Sequence, residues 1–88
     1  MRLISFDRKA FDEYQAWIIL DKKIALKIGQ QIEDILKNPF TGLGKPEALK
    51  GNFKGYWSRR ITNEHRLIYK VTEQGIIIVS CNSHYGDK

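Results

Sequence analysis

The sequence has few of the residues that build metal sites and covalent crosslinks. Its 88 residues include one cysteine and two histidines. A single cysteine excludes a disulfide framework, and two histidines cannot complete a four-ligand zinc site. The longest unbroken apolar run, Ala16–Leu20, is far shorter than the ~18 residues needed to span a bilayer. The segment Met1–Asp7 lacks a signal-peptide core, so we expect a cytoplasmic protein with no membrane partner.

The overall composition is that of an ordinary globular protein. Hydrophobic residues make up 42% of the chain and charged residues 28%, which excludes a disordered tail. The length fits a single domain over residues 1–88, because domains typically hold ~100–150 residues. A core this small supplies only ~3–5 kcal/mol, which favours a protein partner or a homodimer.

The net charge of +5 is concentrated in one part of the chain. Residues 45–70 contain seven lysines and arginines against only Glu47 and Glu64, so this segment alone carries +5. The flanking segments are close to neutral. A concentrated basic block favours a polyanionic partner, since each neutralised phosphate releases counterions. The alternative is a solvated basic surface without a specific ligand.

Two amphipathic helices follow a short strand in the predicted fold. The strand is Arg2–Phe6, and Asp7 then stands where a helix N-cap belongs. A second cap at Asp21 begins a helix that ends before Pro39, with Asn38 suited to a left-handed C-cap. The apolar positions with helical spacing are Phe11, Tyr14, Trp17 and Ile18, and then Ile24, Ile28, Ile32, Ile35 and Leu36.

The second half of the chain has the pattern of loops and strands. Glycine and proline indicate loops at Thr41–Pro46 and Lys50–Gly55. Strands are predicted over Tyr56–Ile61, His65–Thr72 and Gly75–Asn82, and their short connections imply antiparallel hairpins. We therefore predict an α+β fold, with an N-terminal strand, a two-helix hairpin, and an antiparallel sheet that packs both helices on one face.

Alternation along the strands predicts which side chains point away from the helices. Ser58, Arg60, Arg66 and His84 are expected on this open face. The residues expected on the helix-covered face are Trp57, Ile61, Leu67, Tyr69, Val71, Ile77, Val79 and Cys81. A single β-bulge would reverse the assignment in one strand.

The open face offers groups for cleaving RNA without a metal ion. In that reaction the 2′-hydroxyl attacks the adjacent phosphorus. It needs a base, cations that stabilise the phosphorane, and an acid for the leaving 5′-oxygen. Arg60 and Arg66 are candidate cations, His84 is the candidate acid, and Glu47 is the candidate base.

Two further residues are candidates for holding the substrate. Lys50 could clamp a phosphate or hold Glu47 in place, and Tyr85 could stack on a base or orient the phosphate. Simpler interpretations exist, since Glu47 could neutralise a neighbouring lysine and His84 could be an ordinary surface residue. A nucleophilic dyad of Cys81 and His84 is excluded, because a spacing of three places them on opposite faces of a strand. The sequence implies no cofactor.

The basic block and the C-terminus carry motifs that are more specific than any single residue. The motifs are Gly44–Lys50 (GKPEALK), Gly55–Thr62 (GYWSRRIT), Glu64–Tyr69 (EHRLIY) and the pair His84-Tyr85. Together they resemble the Txe/YoeB family of bacterial toxins, within the RelE/ParE superfamily. The likeness extends to Asp21-Lys-Lys and Asn38-Pro-Phe, so it covers nearly the whole chain.

The resemblance implies a RelE-like, microbial-ribonuclease-like fold and a ribosome-dependent endoribonuclease that cuts mRNA. Glu47 corresponds to the family's base, Arg66 to the residue that stabilises the transition state, and His84 to the acid. The positions that correspond to phosphate binding and substrate orientation are Lys50, Arg60 and Tyr85, to which we add the neighbouring Arg59. The chain departs from the family pattern by continuing with Gly86-Asp87-Lys88, which puts any role of a terminal carboxylate beside Tyr85 in question.

The resemblance also implies partners. These are a cognate antitoxin with an acidic, partly disordered segment, the ribosome with its mRNA, and promoter DNA bound only by the toxin-antitoxin complex. A homodimer is compatible with the small core. Two alternatives stay open: a non-catalytic ParE-like toxin that inhibits a protein such as DNA gyrase, and an RNA-binding module. Retention of Glu47, Arg66 and the His84-Tyr85 pair argues against the gyrase inhibitor.

Overall fold

A computed structural model describes residues 2–83 of the chain. Its elements in chain order are β1 (Leu3–Phe6), α1 (Arg8–Leu20), α2 (Lys22–Lys37), β2 (Glu47–Ala48), a short 3-10 helix (Gly51–Phe53), β3 (Tyr56–Arg60), β4 (Arg66–Val71) and β5 (Gly75–Ser83). The α+β class, the helical hairpin and the predicted strands are confirmed. The candidate residues His84 and Tyr85 lie outside the described residues, as does the extension Gly86-Asp87-Lys88.

The five strands form a mixed sheet, in which the predicted antiparallel hairpins of β3, β4 and β5 are confirmed. The strand order is β1-β5-β4-β3-β2, and β1 runs parallel to β5. The two helices carry the chain from β1 at one edge of the sheet to β2 at the other, and the strands β2 to β5 then return to pair with β1. Gly75 lies opposite Leu3 in this register, where a Cβ would collide with the Leu3 backbone, so glycine is needed for β1 to approach.

An aspartate occupies the N-cap position of each helix. Asp21 caps α2, since its side chain accepts a hydrogen bond from the Lys23 amide at 3.1 Å. Asp7 occupies the N-cap of α1 in an extended conformation without a side-chain hydrogen bond. The expected left-handed cap at Asn38 is wrong, because its backbone is extended at φ −153°. Its side chain instead accepts from the Phe40 amide, which begins the turn into the next loop.

The core lies between the helices and one face of the sheet. Its buried members are Ala10, Ile28, Ile35, Ile61, Leu67, Tyr69, Ile76, Ile78 and Cys81. Trp17 on α1 packs against this cluster and donates its indole N–H to the Cys81 carbonyl at 3.0 Å. Within residues 2–83, no helix combines the length and the apolar character needed to cross a bilayer.

Strand β5 does not follow simple alternation. Ile76, Ile78 and Cys81 join the core, so the predicted assignment is right for Cys81 and wrong for Ile77 and Val79. The physical reason is a shift of the β4–β5 register on either side of Ile68. An extra residue in one strand reverses the alternation beyond it.

Candidate active site on the open face of the sheet

Cross-strand pairing brings three of the predicted site residues to the open face. Arg60 on β3 lies directly opposite Arg66 on β4. Glu47 on β2 lies opposite Ser58, two residues before Arg60 on the same face. Because side chains two apart along a strand share a face, Glu47 occupies the row next to the two arginines. The predicted shared face of Arg60 and Arg66 is therefore confirmed, whereas Ser58 lies on the same face but is 1% exposed, so it is not open to solvent there.

The arginine pair places two positive charges side by side. Like charges directly opposite one another in a sheet are destabilising. Arg60 is exposed and Arg66 is half-buried, so an anion can reach the former from solvent. A guanidinium offers donors in a planar fork that suits the paired oxygens of a phosphate. The register therefore places two cationic residues at directly opposite positions on this face, where they can bind an oxyanion.

Glu47 is placed by a two-residue edge strand. Glu47 and Ala48 pair with Ser58 and Trp57, and the Leu49 amide donates to the Tyr56 carbonyl at 2.9 Å. The Glu47 side chain is exposed. No strand is predicted here from the sequence, because two residues are too few to show alternation.

The turn before Glu47 is held against β3. The Arg60 amide donates to the Gly44 carbonyl at 2.7 Å. Gly44 has φ +76°, and a Cβ there would lie 2.7 Å from Gln31 Nε2 and 2.9 Å from the Arg60 carbonyl oxygen. Lys45 follows with φ 53°, which is uncommon for a residue other than glycine. This close approach fixes where the chain enters β2.

Arg59 does not belong to the phosphate-binding group, and its assignment there is wrong. Its side chain is fully buried on the helix-covered face of β3. Its five N–H donors bond the Tyr69 hydroxyl, the Asp34 carboxylate, and the carbonyls of Leu43, Asn38 and Thr41. A guanidinium has five donors in total, so none is left for substrate.

The partners of Arg59 are the residues that sequence reasoning missed. Arg59 Nη1 and Asp34 Oδ2 are 2.6 Å apart, and this contact holds the pKa of the Asp34 carboxyl below its ordinary value. The Tyr69 hydroxyl donates to the Pro39 carbonyl at 2.6 Å, and burial raises the pKa of this phenol. The network anchors the loop after α2, which leads into Gly44 and Glu47. The alternation of side chains along β3 is the sequence signal for the role of Arg59, since adjacent residues of a strand point to opposite faces and Arg59 therefore cannot share the face of Arg60.

The remaining residues considered for chemistry within the described part are Lys50 and Cys81. Lys50 is exposed and precedes the 3-10 helix, three residues after Glu47. Cys81 is buried in the core, where burial and then the charge of Glu13 raise the pKa of its thiol to about 12. Among residues 2–83, no cluster of three or more histidine, cysteine, aspartate or glutamate side chains could hold a metal ion.

Comparison with known proteins supplies a family. The family model described as a YoeB-like toxin of bacterial type II toxin-antitoxin systems matches residues 6–85. Toxin YoeB of Escherichia coli K12 is 48% identical over 85 residues, covering 97% of this chain and 100% of the relative. Toxin YoeB of Streptomyces coelicolor is 45% identical over 82 residues, covering 93% of this chain and 98% of the relative.

Solved structures give the same result for the fold. A YoeB/ParE toxin from Agrobacterium tumefaciens superposes with a TM-score of 0.92 at 41% identity, covering 97% of this chain and 100% of that one. A YoeB dimer from Staphylococcus aureus gives 0.89 at 45% identity, covering 96% and 98%. A heterotetrameric YoeB-YefM toxin-antitoxin complex from Staphylococcus aureus gives 0.87 at 44% identity, covering 97% and 99%.

Proposed function

Because this chain belongs to the family of YoeB-like toxins of bacterial type II toxin-antitoxin systems, we propose that it is a ribosome-dependent mRNA endonuclease. The proposed reaction needs no metal ion and inhibits translation by cutting the message. The observation that carries the proposal is the register that sets Arg60 opposite Arg66, with Glu47 in the adjacent row. A base beside two cations on an exposed face is the constellation that RNA cleavage through the 2′-hydroxyl requires.

The proposed chemistry divides the work among three residues. Glu47 takes the proton of the 2′-hydroxyl as its oxygen attacks the adjacent phosphorus. Arg66 stabilises the charge that develops on the non-bridging oxygens of the phosphorane. His84 protonates the departing 5′-oxygen, so one proton is removed and one is returned, and the products are a cyclic phosphate and a free 5′-hydroxyl.

Three neighbouring residues complete the proposed site. Arg60 binds the phosphate from the strand next to Arg66, and Lys50 binds it from the start of the 3-10 helix. Tyr85 orients the substrate, by stacking on a base or by contacting the phosphate. Arg59 has no direct role, because all of its donors are used inside the fold.

Primer extension on an mRNA translated by purified ribosomes tests the proposal. The wild-type protein is expected to cut the message, and Glu47→Ala, Arg66→Ala and His84→Ala are each expected to lose at least about a hundredfold in rate. Arg8→Ala is the matched control, since Arg8 is an exposed arginine on α1 that pairs with Asp12. A 2′-deoxy substitution at the cut site should abolish cleavage, whereas a chelator should not.

Three outcomes would contradict the proposal. Full activity in all three site variants would remove Glu47, Arg66 and His84 from the reaction. Growth arrest without any cleavage of ribosome-bound mRNA would favour the ParE-like inhibitor of a protein target. Binding of RNA with a steep salt dependence but no product would favour the RNA-binding module.

We further propose that the protein acts in the cytoplasm with an antitoxin as its partner. Related proteins from Staphylococcus aureus are described as a YoeB dimer and as YoeB-YefM complexes. The basic open face suits an acidic antitoxin segment that folds on binding, and promoter DNA would be bound only by the complex. Light scattering of the purified chain, alone and with its antitoxin, tests the dimer and the complex separately.

A further inference from the structure

A cavity of about 410 Å³ opens beside the proposed active site. It lies between the middle of α2, the turn that precedes β2, and the turn that follows β3. Its size falls within the roughly 300–1,000 Å³ range of small-molecule sites. Arg60 belongs both to its wall and to the open face, so a ligand in the cavity would be continuous with a phosphate at the arginine pair.

The cavity wall is positively charged. Lys27 from α2, Lys45 from the turn and Arg60 from the end of β3 line it, and all three are exposed. None of the described residues that line it is acidic. The two lysines come from separate elements around one concavity and focus a positive potential, which favours a phosphate-bearing ligand over a neutral one.

Amide side chains add the means to recognise a base. Gln30 and Asn63 line the cavity and are exposed, so each offers a donor and an acceptor to a ligand. Gln31 is 1% exposed and donates its amide nitrogen to the Arg60 carbonyl. Its Oε1 is buried and accepts no hydrogen bond from the described residues, so base recognition is assigned to the exposed amides of Gln30 and Asn63.

The backbone has an unfavourable conformation at one residue of the cavity wall. Lys45 keeps φ 53° although it has a full side chain. Backbone conformations of this kind persist where the surrounding structure enforces them, and they cluster at ligand sites. Lys45 follows Gly44, whose carbonyl accepts from the Arg60 amide, and it forms part of the cavity wall.

We propose that this cavity binds one nucleotide of single-stranded RNA next to the nucleotide that is cut. Lys27 and Lys45 hold the phosphate of that nucleotide, while Gln30 and Asn63 bond the edge of its base. The inference rests on the proposed function, because it extends the RNA path from the arginine pair around the edge of the sheet. It assigns Lys27, which lies outside the basic block of residues 45–70, to substrate binding.

Fluorescence anisotropy with a labelled single-stranded RNA tests the site without relying on cleavage. The protein carries Glu47→Gln so that bound RNA stays intact, and Lys27→Ala is compared with Lys23→Ala in that background. Both lysines are exposed residues of α2, but only Lys27 lines the cavity. Lys27→Ala should weaken binding about tenfold, as expected for one charge-assisted hydrogen bond, and should lower the salt slope by about 0.7. Lys23→Ala should change neither quantity.

Base recognition is tested by Asn63→Ala. This variant should reduce the spread of affinities among RNAs that differ at one position and leave the salt slope unchanged. Equal affinity and equal salt slope for Lys27→Ala and Lys23→Ala would overturn the proposal. Weaker binding of an acidic antitoxin peptide by Lys27→Ala, with RNA binding unchanged, would also overturn it and assign the cavity to the antitoxin.

Failure of the cavity proposal can be distinguished from failure of the proposed nuclease activity. If the Glu47→Gln protein cuts RNA as fast as wild type, the proposed base is wrong, and the binding comparison is repeated with a 2′-O-methyl RNA that cannot react. If the wild-type protein cuts no ribosome-bound mRNA but Lys27→Ala still loses affinity, the cavity site stands without the nuclease.

Discussion

Arg59 and Asp34 form an ion pair with 2.6 Å between Nη1 and Oδ2, and it joins β3 to α2 inside the fold. Arg59 is fully buried, whereas the Asp34 side chain is 29% exposed. The adjacent residue Arg60 points to the opposite face of the same strand. The two neighbouring arginines therefore have different roles. Arg59 stabilises the interior of the fold, and Arg60 is a surface cation.

Replacing Arg59 by lysine should destabilise the protein although the charge is kept. Lysine has three donors on a flexible stem and cannot serve the five acceptors that surround the guanidinium. The expected loss is about 2–3 kcal/mol of unfolding free energy, because buried acceptors are left unsatisfied. Urea unfolding at neutral pH measures it. Arg60→Lys is the matched control and should stay within about 0.5 kcal/mol of wild type.

The pH dependence of the unfolding free energy should show the contribution of the Arg59–Asp34 ion pair. The hydrogen bond from Arg59, followed by one from the Leu43 amide, holds the pKa of Asp34 below its ordinary value of 3.8. A carboxyl whose pKa is lowered on folding stabilises the fold at pH values above its unfolded pKa. That contribution is lost as the pH falls through the folded-state pKa.

Asp34→Asn is therefore expected to lower the urea midpoint at neutral pH and to lose less stability than wild type on acidification. The gap between the two proteins should narrow below about pH 4. Asp12→Asn is the control, because Asp12 forms an exposed ion pair with Arg8 and such pairs contribute little. A gap that stays constant down to pH 3 would contradict the assigned role.

Much of the fold can be predicted from local pattern, and the failures share a cause. Helical spacing and turn residues are local signals, so they indicate α1, α2 and the strands β3 to β5. The parallel pairing of β1 with β5 joins Leu3 to Gly75, and nothing in either segment alone specifies it. The β4–β5 register shifts on either side of Ile68, and no residue type in β5 signals it, so simple alternation misplaces Ile77 and Val79.

The strand alternation predicts correctly which arginines share a face of the sheet. The prediction that rests on charge alone, the assignment of Arg59 to phosphate binding, is wrong. Alternation places Arg60 and Arg66 on one face, and the register confirms it. The same alternation puts Arg59 on the side of Trp57 and Ile61, yet its charge grouped it with Arg60. The acceptors around Arg59 come from a loop and a helix distant in sequence, which no motif reveals.

Removing one arginine of the open-face pair should raise the melting temperature and lower the rate of RNA cleavage. Arg60→Gln relieves the repulsion with the directly opposite Arg66. We expect the melting temperature to rise by about 2 °C at low salt and the gain to vanish at high salt. RNA cleavage should fall in the same variant. Scanning calorimetry at two salt concentrations measures the first effect, with Lys54→Gln as the control, and a lowered melting temperature would contradict it.

Gly44→Ala should separate a steric requirement from a backbone one. Alanine at φ +76° is strained, and its Cβ would also lie within 3 Å of Gln31 Nε2 and the Arg60 carbonyl oxygen. Gly51 has a similar φ of +65°, but a Cβ there would meet nothing within 4 Å, so Gly51→Ala measures the strain alone. Both variants should lose more than about 1 kcal/mol. Only Gly44→Ala should also slow cleavage, because it displaces the entry into β2 and Glu47. Equal effects on cleavage would remove the turn from the site.

Cys81 should be inert in the folded protein. Burial, and then the neighbouring Glu13 carboxylate, raise the pKa of its thiol to about 12, against an ordinary value of 9.0. The thiolate is the reactive form, so its fraction at pH 8 is about a thousandfold lower than that of an ordinary thiol. Alkylation by iodoacetamide should therefore be negligible at pH 8 and complete in urea. Cys81→Ala should retain RNA cleavage after correction for the lost packing, since no step of the proposed reaction uses the thiol. Rapid alkylation of the native protein, or loss of cleavage by a folded Cys81→Ala variant, would show that the residue reaches the substrate.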